Sequence, residues 1–350
     1  MGSWPRPVLV RLRVRARLSW LLGRVGASQA LLWSRRWGRP RWLTVLNYHR
    51  VDRLDAAADV DEGVLDSTPE SLDRQLTRVR RHFTPIAIGD LLAHLDGADL
   101  PANPVLVTFD DGYRDNLENA VPILRRHGIR AAFFIATTYV SERRVFWWDR
   151  ISWTLKHARK QRFRLDYPSG LDVDLGAGTQ QAERLLHELV KTTRLLDLDR
   201  FLGELAGKAD APWDESTERR LADRLLMTWN DVRALGQAGM DVGSHTRTQR
   251  VLQTLAPADL VTELEGSRAD LESALGKPIT AIAYPVGPSI VAAPAIRAAA
   301  EAAGYRLGFT YGTGLQPLGD VDPLDIHRLA VEPLDDARFS TLLAVPWLES

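Results

Sequence analysis

The 350-residue sequence predicts an α/β protein whose strands close into a barrel or a distorted barrel. Short apolar runs alternate with helical patterns along most of the chain, and polar, chemically reactive side chains directly follow several of these runs. Strands that alternate with helices favour a mainly parallel sheet. About seven or eight such units fit a barrel, in which active residues lie at the carboxyl ends of the strands.

The strand candidates share a short apolar run bounded by polar or turn-forming residues. They are Leu43–Tyr48, Val105–Phe109, Ala131–Ala136, Met240–Gly243, Ile279–Ala283, Arg306–Thr310 and Ile326–Val331, with Ile86–Ile88 as a shorter candidate.

Helices are predicted between these strands. Thr68 and Pro69 mark the start of one helix, as the N-cap and a first-turn residue. A second helix is expected from about Arg114 to His127. A third runs from about Pro257 to Leu275 and ends at Gly276, with a proline shortly after it.

The alternation breaks between about Ser141 and Met227, where the sequence is polar and helix-like. A polar loop is predicted from Tyr167 to Thr179 within this stretch. We interpret residues 141–227 as a helical insertion that forms a lid or a side wall of the barrel domain, which is expected to span residues 42–350.

The charge distribution separates an N-terminal arm, residues 1–41, from this domain. Residues 1–51 contain eleven arginines, no lysine and no acid, so the rest of the chain has 45 − 11 = 34 basic and 45 acidic residues, a net charge of −11. This basic N-terminal arm either makes a peripheral contact with an anionic membrane surface or is a solvated face beside its own acidic domain. No nucleic-acid partner is expected.

The N-terminus lacks the pattern of a secretory or membrane-spanning segment. Its apolar stretches are short, and the one at Trp20–Leu22 is interrupted by Gly23 and Arg24, whereas a signal peptide needs roughly 7–15 apolar residues and a spanning helix about 20. Residues 12–33 fit either an amphipathic interfacial helix or, from their alternating arginines, a strand. We therefore expect a protein that is cytoplasmic or peripheral to the membrane. The absence of cysteine excludes disulfides and thiolate metal sites.

Three predicted strand ends carry the groups of a candidate site. Asp110 and Asp111 follow one strand, His245 follows another, and a Pro-x-Gly turn at residues 285–287 follows a third. Adjacent carboxylates repel each other, so one of them needs a cation or has a raised pKa. Taken singly, the acids are also explained as helix caps, and a lone histidine is more often structural than a ligand.

The order and spacing of these motifs resemble those of the polysaccharide deacetylases, carbohydrate esterase family 4, with a NodB-like domain. The stretches that carry the resemblance lie between about Val45 and Glu332. They are Leu46–Val51, Thr108–Gly112, Met227–Asn230, Ser244–Gln249, Ala283–Gly287 and Gly304–Thr310. The resemblance implies an irregular (β/α)7-type barrel. It also implies a hydrolase that removes N-acetyl groups from a polysaccharide or oligosaccharide with the help of a divalent metal.

The resemblance also implies roles for individual residues. Asp110 is the expected general base, while Asp111, His245 and the residue at position 249 are the expected metal ligands. A metal there polarises the acetyl carbonyl and lowers the pKa of bound water. The loop of Tyr284, Pro285 and Val286 is expected to bind the substrate and to offer a backbone N–H to the oxyanion, although the family usually has Tyr at position 286.

The chain departs from the family pattern at the third metal ligand, where Gln249 replaces histidine. Zn²⁺ is the expected metal, but an amide oxygen is a poor zinc ligand and leaves Mn²⁺, Co²⁺ or Ni²⁺ as alternatives. His49 is a candidate compensating ligand. His327 is a candidate general acid, or else a surface histidine at a strand end.

Two functions remain open at this point. The first is metal-dependent deacetylation of an N-acetylated glycan, and the second is a catalytically weakened or inactive glycan-binding relative, motivated by Gln249. Trp147 and Trp148, at the start of the insertion, are either stacking platforms for sugars or packing anchors. The other five histidines (82, 94, 127, 157 and 187) are expected to be surface or cap residues.

Overall fold

The computed structural model describes residues 27–34, 41–176, 178–287, 289–311 and 314–346. Residues 1–26 of the arm, which include most of the ambiguous stretch 12–33, lie outside the described residues. Within the arm, Ala27–Ser34 forms a helix, α1, that packs against the last helix, α13 (Asp336–Ala344). Contact of the arm with a membrane remains a prediction.

The strands of the described residues form one large sheet and two small ones. They are β1 Trp42–Tyr48, β2 Arg50–Val51, β3 Leu65–Ser67, β4 Thr84–Pro85, β5 Pro104–Phe109, β6 Ala132–Ile135, β7 Arg162–Leu165, β8 Leu171–Asp174, β9 Asp241–Ser244, β10 Ala281–Ala283, β11 Leu307–Phe309, β12 Gln316–Pro317 and β13 Leu329–Ala330.

The helices between α1 and α13 lie largely between these strands. They are α2 Pro69–His82, α3 Ile88–Leu95, α4 Val121–Arg126, α5 Thr137–Glu142, α6 Trp147–Lys156, α7 Thr179–Thr192, α8 Leu198–Ala209, α9 Glu215–Leu225, α10 Trp229–Gln237, α11 Pro257–Leu275 and α12 Pro294–Ala302. None of the helices in the described ranges is long and apolar enough to cross a membrane.

The large sheet has the predicted parallel arrangement. Its strand order is β11-β10-β9-β6-β5-β1, with every neighbouring pair parallel, and β13 also pairs with β1 in parallel. The last predicted strand connects the two ends of this sheet, because Ile326 pairs with Phe309 of β11 and Leu329 pairs with Leu46 of β1. The carboxyl ends of the strands therefore meet on one side.

Apolar side chains cover both faces of the curled sheet, as expected for parallel strands with helices packed outside them. In β1, Leu43 and Val45 pack in the interior with residues such as Phe134. The alternate residues Leu46 and Tyr48 pack outward against α2. Thr68 caps α2 by accepting the N–H of Ser71, and Gly276 ends α11 in the left-handed conformation, both as predicted.

Two predicted elements differ from the structure. Ile86–Ile88 is not a strand, because α3 begins at Ile88, where the carboxylate of Asp90 accepts the N–H of Ala87 at 2.7 Å and stabilises the helix start. The helix expected over 114–127 begins as a π-helical turn, Asn116–Ala120, before α4. Pro122 lacks the N–H that an α-helical hydrogen bond would require, which accounts for the irregular turn.

The segment between β6 and β9 has a hydrophobic core of its own, which includes Phe146, Trp148 and Phe201. The predicted polar loop 167–179 is partly wrong, because β8 lies within it and pairs with β7 as an antiparallel hairpin. Leu165 and Val173 are buried on one side of this hairpin, so its apolar residues alternate as in a half-buried strand.

Candidate active site

A cavity of about 630 Å³ opens at the carboxyl ends of the barrel strands. The connections that follow four strands contribute to its lining: His49 follows β1, Asp110 and Asp111 follow β5, His245 and Gln249 follow β9, and Val286 follows β10. Parallel strands thus bring together residues that are far apart in the sequence, as the motif pattern predicts.

Asp111, His245 and Gln249 converge at one point of this cavity. His245 Nε2 lies 3.4 Å from Asp111 Oδ1, and Gln249 Nε2 lies 3.4 Å from the same oxygen and 3.3 Å from His245 Nε2. His245 Nδ1 lies 2.8 Å from the carbonyl oxygen of Ala283. Because a carbonyl only accepts, Nδ1 carries the proton, and the lone pair on Nε2 is directed towards Asp111.

The three side chains fit a divalent cation. Asp111 Oδ2 and Gln249 Oε1 are buried and have no hydrogen-bond partner in the described part of the chain, a costly state that a bound ion would relieve. Rotating the Gln249 amide by half a turn places its oxygen beside the other two ligand atoms. Among the described residues, no three His, Cys, Asp or Glu side chains form a metal cluster, so a cation held at this point would take the amide oxygen as its third protein ligand.

The backbone around this point is strained. Asp111, Thr246, Gln249 and Val286 have φ values of 75°, 64°, 51° and 50°, in the left-handed region that side chains other than glycine rarely adopt. Each such residue costs on the order of 1–3 kcal/mol. Their concentration around one cavity is typical of a functional site, where surrounding structure maintains an unfavourable conformation.

Arg328 binds Asp110 with both terminal nitrogens, at 2.7 and 2.8 Å, and also donates to Asn47 Oδ1 at 2.7 Å. All of these groups are buried. Burial raises the pKa of Asp110, but the positive charge and hydrogen bonds of Arg328 outweigh this effect and hold the pKa at about 2. Asp110 is therefore ionised and oriented.

His49 is paired with Asp66, which follows it by 17 residues. Its Nδ1 lies 3.0 Å from Asp66 Oδ2, and its backbone N–H donates to the same oxygen. Burial lowers the pKa of His49, but Asp66, with smaller contributions from Asp111 and Asp110, raises it to about 9. The imidazole is thus protonated at neutral pH, with Nε2 left for the cavity.

Of the four residues predicted to bind the substrate or the oxyanion, two line the cavity and two do not. Val286 lines the cavity, and its N–H has no acceptor among the described residues. Tyr284 and Pro285 do not line the cavity, and the side chain of Tyr284 is buried towards Gly308. Trp148 lines the cavity, but it is 5% exposed and donates to Tyr113 Oη at 2.8 Å, so it is also a packing anchor.

His327 does not join the other candidates. Its Nε2 lies 3.9 Å from Asp325 Oδ2, and the residue does not line the cavity. Adjacent residues in extended backbone face opposite sides, and here Arg328 faces the cavity while His327 does not. The sequence reasoning missed Arg328, although its position beside a candidate residue was a usable signal. It also missed Asp66, for which we find no local signal.

The prediction of a surface or cap position was also wrong for one histidine. His187, on α7, is 15% exposed and lines the cavity. Its ring contacts Trp147 edge to face, with ring centroids 5.3 Å apart. The insertion therefore contributes residues to the same cavity as the barrel strands.

Comparisons with known proteins agree with the fold and the motif order. The sequence profile of the family described as "Polysaccharide deacetylase" matches residues 97–196 and 201–308, more than half of the chain. Among curated proteins, YxkH of Bacillus subtilis (strain 168) is 52% identical over 31 residues, which are 9% of this chain and 11% of that protein.

Two solved structures share the architecture. The deacetylase PplD of Streptococcus pyogenes, solved in complex with acetate, is 18% identical and aligns over 83% of this chain and 93% of its own, with a TM-score of 0.52. IcaB from Ammonifex degensii is 19% identical over 87% of this chain and 97% of its own, with a TM-score of 0.54. These likenesses confirm the predicted α/β barrel fold. By the match of its sequence profile, the chain belongs to the polysaccharide deacetylase family, whose members are hydrolases of amide C–N bonds.

Proposed function

We propose that this protein removes N-acetyl groups from a polysaccharide or oligosaccharide in a metal-dependent hydrolysis. The observation that carries this proposal is the convergence of Asp111, His245 Nε2 and Gln249 in the cavity that also contains the ionised Asp110. Family membership supports the reaction class. The metal requirement and the roles of individual residues are inferred from this geometry.

Asp111, His245 and Gln249 would hold the cation. When bound, a divalent ion supplies Lewis-acid polarisation of the acetyl carbonyl and lowers the pKa of water. A donor set of one carboxylate, one imidazole and one amide oxygen is harder than the expected set with two histidines. We therefore propose that the site accepts Mn²⁺ or Co²⁺ as readily as Zn²⁺, with Ni²⁺ as a further alternative.

Asp110 is proposed to orient the attacking water and take its proton. Its two bonds to Arg328 fix the orientation of the carboxylate and keep the group ionised. A carboxylate with a pKa of about 2 is a weak base, so it is effective only towards a water whose own pKa is lowered. This requirement links the role of Asp110 to metal binding.

His49 is proposed to protonate the leaving amine. The amide C–N bond breaks, the carbonyl carbon keeps the oxygen of the water as acetate, and the sugar nitrogen takes a proton from His49 Nε2. Asp66 supports this role by holding Nδ1 and by raising the pKa of the imidazole. The proposal assigns to His49 the role that the sequence alone suggested for His327.

The N–H of Val286 is proposed to stabilise the developing oxyanion. Val286 lines the cavity with a strained backbone, and its N–H has no acceptor among the described residues. Removing one such donor typically costs about 10²–10³ in kcat. Val286 stands where the family usually has Tyr, so the side chain differs but the backbone donor is retained.

Metal analysis combined with acetate release tests the proposal. The purified protein is stripped with a chelator, reloaded with Zn²⁺, Mn²⁺, Co²⁺ or Ni²⁺, and incubated with N-acetylglucosamine oligomers. We expect acetate with at least one ion and none in the stripped protein or in Asp111→Asn. Absence of acetate with every ion, from protein that remains folded, would contradict the proposal.

The second candidate is a glycan-binding protein with little or no catalysis. It is favoured by one observation: Gln249 Nε2 lies within 3.4 Å of Asp111 Oδ1 and 3.3 Å of His245 Nε2, where a neutral amide donor replaces a cation. This candidate predicts glycan binding that is equal with and without metal. Stoichiometric metal together with turnover in the wild type would exclude it.

A further inference from the structure

Helix α7 of the insertion presents one polar face to the catalytic cavity. The residues that line the cavity from this helix are Thr179, Gln180, Glu183, Arg184, His187 and Lys191. Spacings of three, four and seven residues place side chains on the same side of an α-helix. None of these residues has a role in the proposed hydrolysis, although they share the cavity with Asp110 and Asp111.

Two cations on this face lack an acidic partner. Arg184 is exposed, and its Nε donates only to the carbonyl of Gln180 on the same helix, at 3.2 Å. Neither Arg184 nor Lys191 forms an ion pair with any described carboxylate. They are seven residues apart, so they lie two turns, or about 10 Å, apart along the helix.

Of the acids on the same side of the cavity, Glu62 and Asp61 interact with other groups, and Glu183 is half-buried. Glu62 pairs with Lys156 at 3.3 Å. Asp61 accepts the N–H of Gly63 at 2.8 Å, and its other oxygen lies 3.9 Å from His187 Nδ1. Burial raises the pKa of Glu183, an effect that Lys156 partly opposes. Arg184 and Lys191 are therefore the cations lining this side of the cavity that no described carboxylate neutralises.

Two buried polar atoms on the same helix also lack partners. Glu183 Oε1 and His187 Nε2 are buried without a hydrogen bond. Burial lowers the pKa of His187, so this ring is neutral near pH 7. Unpaired buried polar atoms are costly in the free protein, and because both residues line the cavity, a small rotation of either side chain would bring these atoms to the hydroxyl groups of a bound sugar.

We propose that α7 forms a subsite for an anionic glycan, in which Arg184 and Lys191 bind a carboxylate or phosphate substituent on a sugar that neighbours the N-acetylated one. This inference rests on the proposed function, because it assigns the substrate class of the same cavity. The two cations bind the anionic group, while Glu183 and His187 meet hydroxyl groups of the same sugar.

Equilibrium binding tests the subsite without requiring turnover. The probes are a heparosan tetrasaccharide, in which glucuronic acid alternates with N-acetylglucosamine, its carboxyl-reduced neutral counterpart, and chitotetraose phosphorylated at one 6-hydroxyl. We expect the metal-loaded protein to bind at least one anionic probe about tenfold more tightly than its neutral counterpart, with a preference that weakens as salt is added. The two anionic probes distinguish carboxylate from phosphate.

Substitutions on α7 test whether this helix causes the preference for the anionic probes. Arg184→Gln/Lys191→Gln should remove the preference and leave binding of the neutral probe unchanged. Arg219→Gln, an exposed cation on α9 that does not line the cavity, should retain it. Equal binding of charged and neutral probes by the wild type, or a preference that survives the double substitution, would overturn the inference.

Acetate release from the same probes separates this inference from the proposed function. If no probe is deacetylated but the anionic preference persists and depends on Arg184 and Lys191, the proposed function fails and the anionic subsite stands. If the neutral probe is deacetylated as fast and bound as tightly as the charged ones, the proposed function stands and the subsite is overturned.

Discussion

Single side chains in the cavity are controlled by partners that are distant in the sequence. Arg328 and Asp110 are 218 residues apart, yet two short hydrogen bonds join them in the buried site. An arginine suits this position because its planar guanidinium matches both oxygens of a carboxylate, which an ammonium cannot do. The charge state of Asp110 therefore depends on the geometry of this pair.

Arg328→Lys tests this dependence. Lysine keeps the charge but loses one of the two bonds, so the effect of burial is less opposed and the pKa of Asp110 rises above about 2. We expect the acid limb of kcat/KM for acetate release to move to higher pH, and kcat to fall at least about tenfold through misorientation. An unchanged acid limb would show that Arg328 does not control Asp110.

The ion pair of Asp110 and Arg328 also makes the stability of the folded protein depend on pH. The pKa of Asp110 is lower in the folded protein than its ordinary value of 3.8, so its contribution to stability is present above pH 3.8 and is lost as the pH falls towards 2. The wild type should lose more unfolding free energy over this range than Arg328→Lys does. Urea denaturation at several acidic pH values measures the difference.

Gln249→His tests the third metal ligand. Histidine tolerates the left-handed backbone of position 249 better than most residues, and imidazole binds Zn²⁺ more strongly than an amide does. We expect Zn²⁺ affinity to rise at least about tenfold, since even the groups that hydrogen-bond to metal ligands affect affinity by about 10–100-fold, and acetate release to rise with it. Gln249→Asn is the matched control that keeps an amide. Unchanged zinc content in the histidine variant would contradict the proposed ligand set.

Asp66→Asn tests the assignment of the general acid. Asparagine removes the charge that raises the pKa of His49 to about 9, so the pKa falls and the protonated form is lost at lower pH. We expect the basic limb of kcat/KM to move to lower pH than in the wild type. His49→Gln should lower kcat by about 10²–10⁴, whereas His327→Gln should not. A fall in kcat for His327→Gln but not for His49→Gln would assign the general acid to His327.

At the scale of elements, the carboxyl ends of β6, β9 and β10 pack very closely beneath the site. A Cβ added to Gly243 of β9 would lie 2.6 Å from Phe134 Cε1 and 2.9 Å from the carbonyl oxygen of Ala281. This close approach positions the residues that follow β9, including His245. Glycine at 243 is therefore required by packing between neighbouring strands.

Gly243→Ala should destabilise the protein by about 1–3 kcal/mol, since the neighbouring backbone cannot move away without breaking the sheet. The matched control is Gly203→Ala in α8, where nothing lies within 4 Å of an added Cβ; it should be neutral or stabilising by up to about 1 kcal/mol. Thermal unfolding of both variants makes the comparison. Equal melting temperatures for the two would contradict the packing argument.

At the scale of the whole molecule, a buried network joins the barrel to the insertion. Asp149 of α6 accepts the hydroxyl of Tyr113 at 2.7 Å and the N–H of Asp61 at 3.0 Å. Burial raises the pKa of Asp149 to about 7, although Arg50 opposes this effect. This carboxyl connects three separate segments around the cavity.

The network predicts a pH dependence of global stability. Because the pKa of Asp149 is higher in the folded protein than in the unfolded chain, its carboxyl contributes a loss of stability as pH rises from about 4 to 7. Asparagine at this position does not titrate, so the Asp149→Asn variant lacks this contribution to the pH dependence. We expect the wild type to lose about 2–3 kcal/mol relative to the variant between pH 5 and 7.5, measured by urea denaturation. A constant difference over this range would contradict the raised pKa.

The sequence by itself determined the alternating α/β pattern, the family and the residues that follow the barrel strands. These features are local: an apolar run, a cap, or a pair of acids beside a glycine is visible within a few residues. Asp111, His245 and Gln249 follow the carboxyl ends of parallel strands, which meet on one side of the sheet. Their convergence was therefore predictable, whatever the length of the segments between them.

Only the tertiary structure decided which residues complete the site. It places Arg328 rather than His327 in the cavity, pairs His49 with Asp66, and turns the polar face of α7 towards the catalytic residues. The side of the chain that faces the cavity depends on how the barrel closes and how the insertion packs on it. These are contacts between distant segments, and no local pattern in the sequence specifies them.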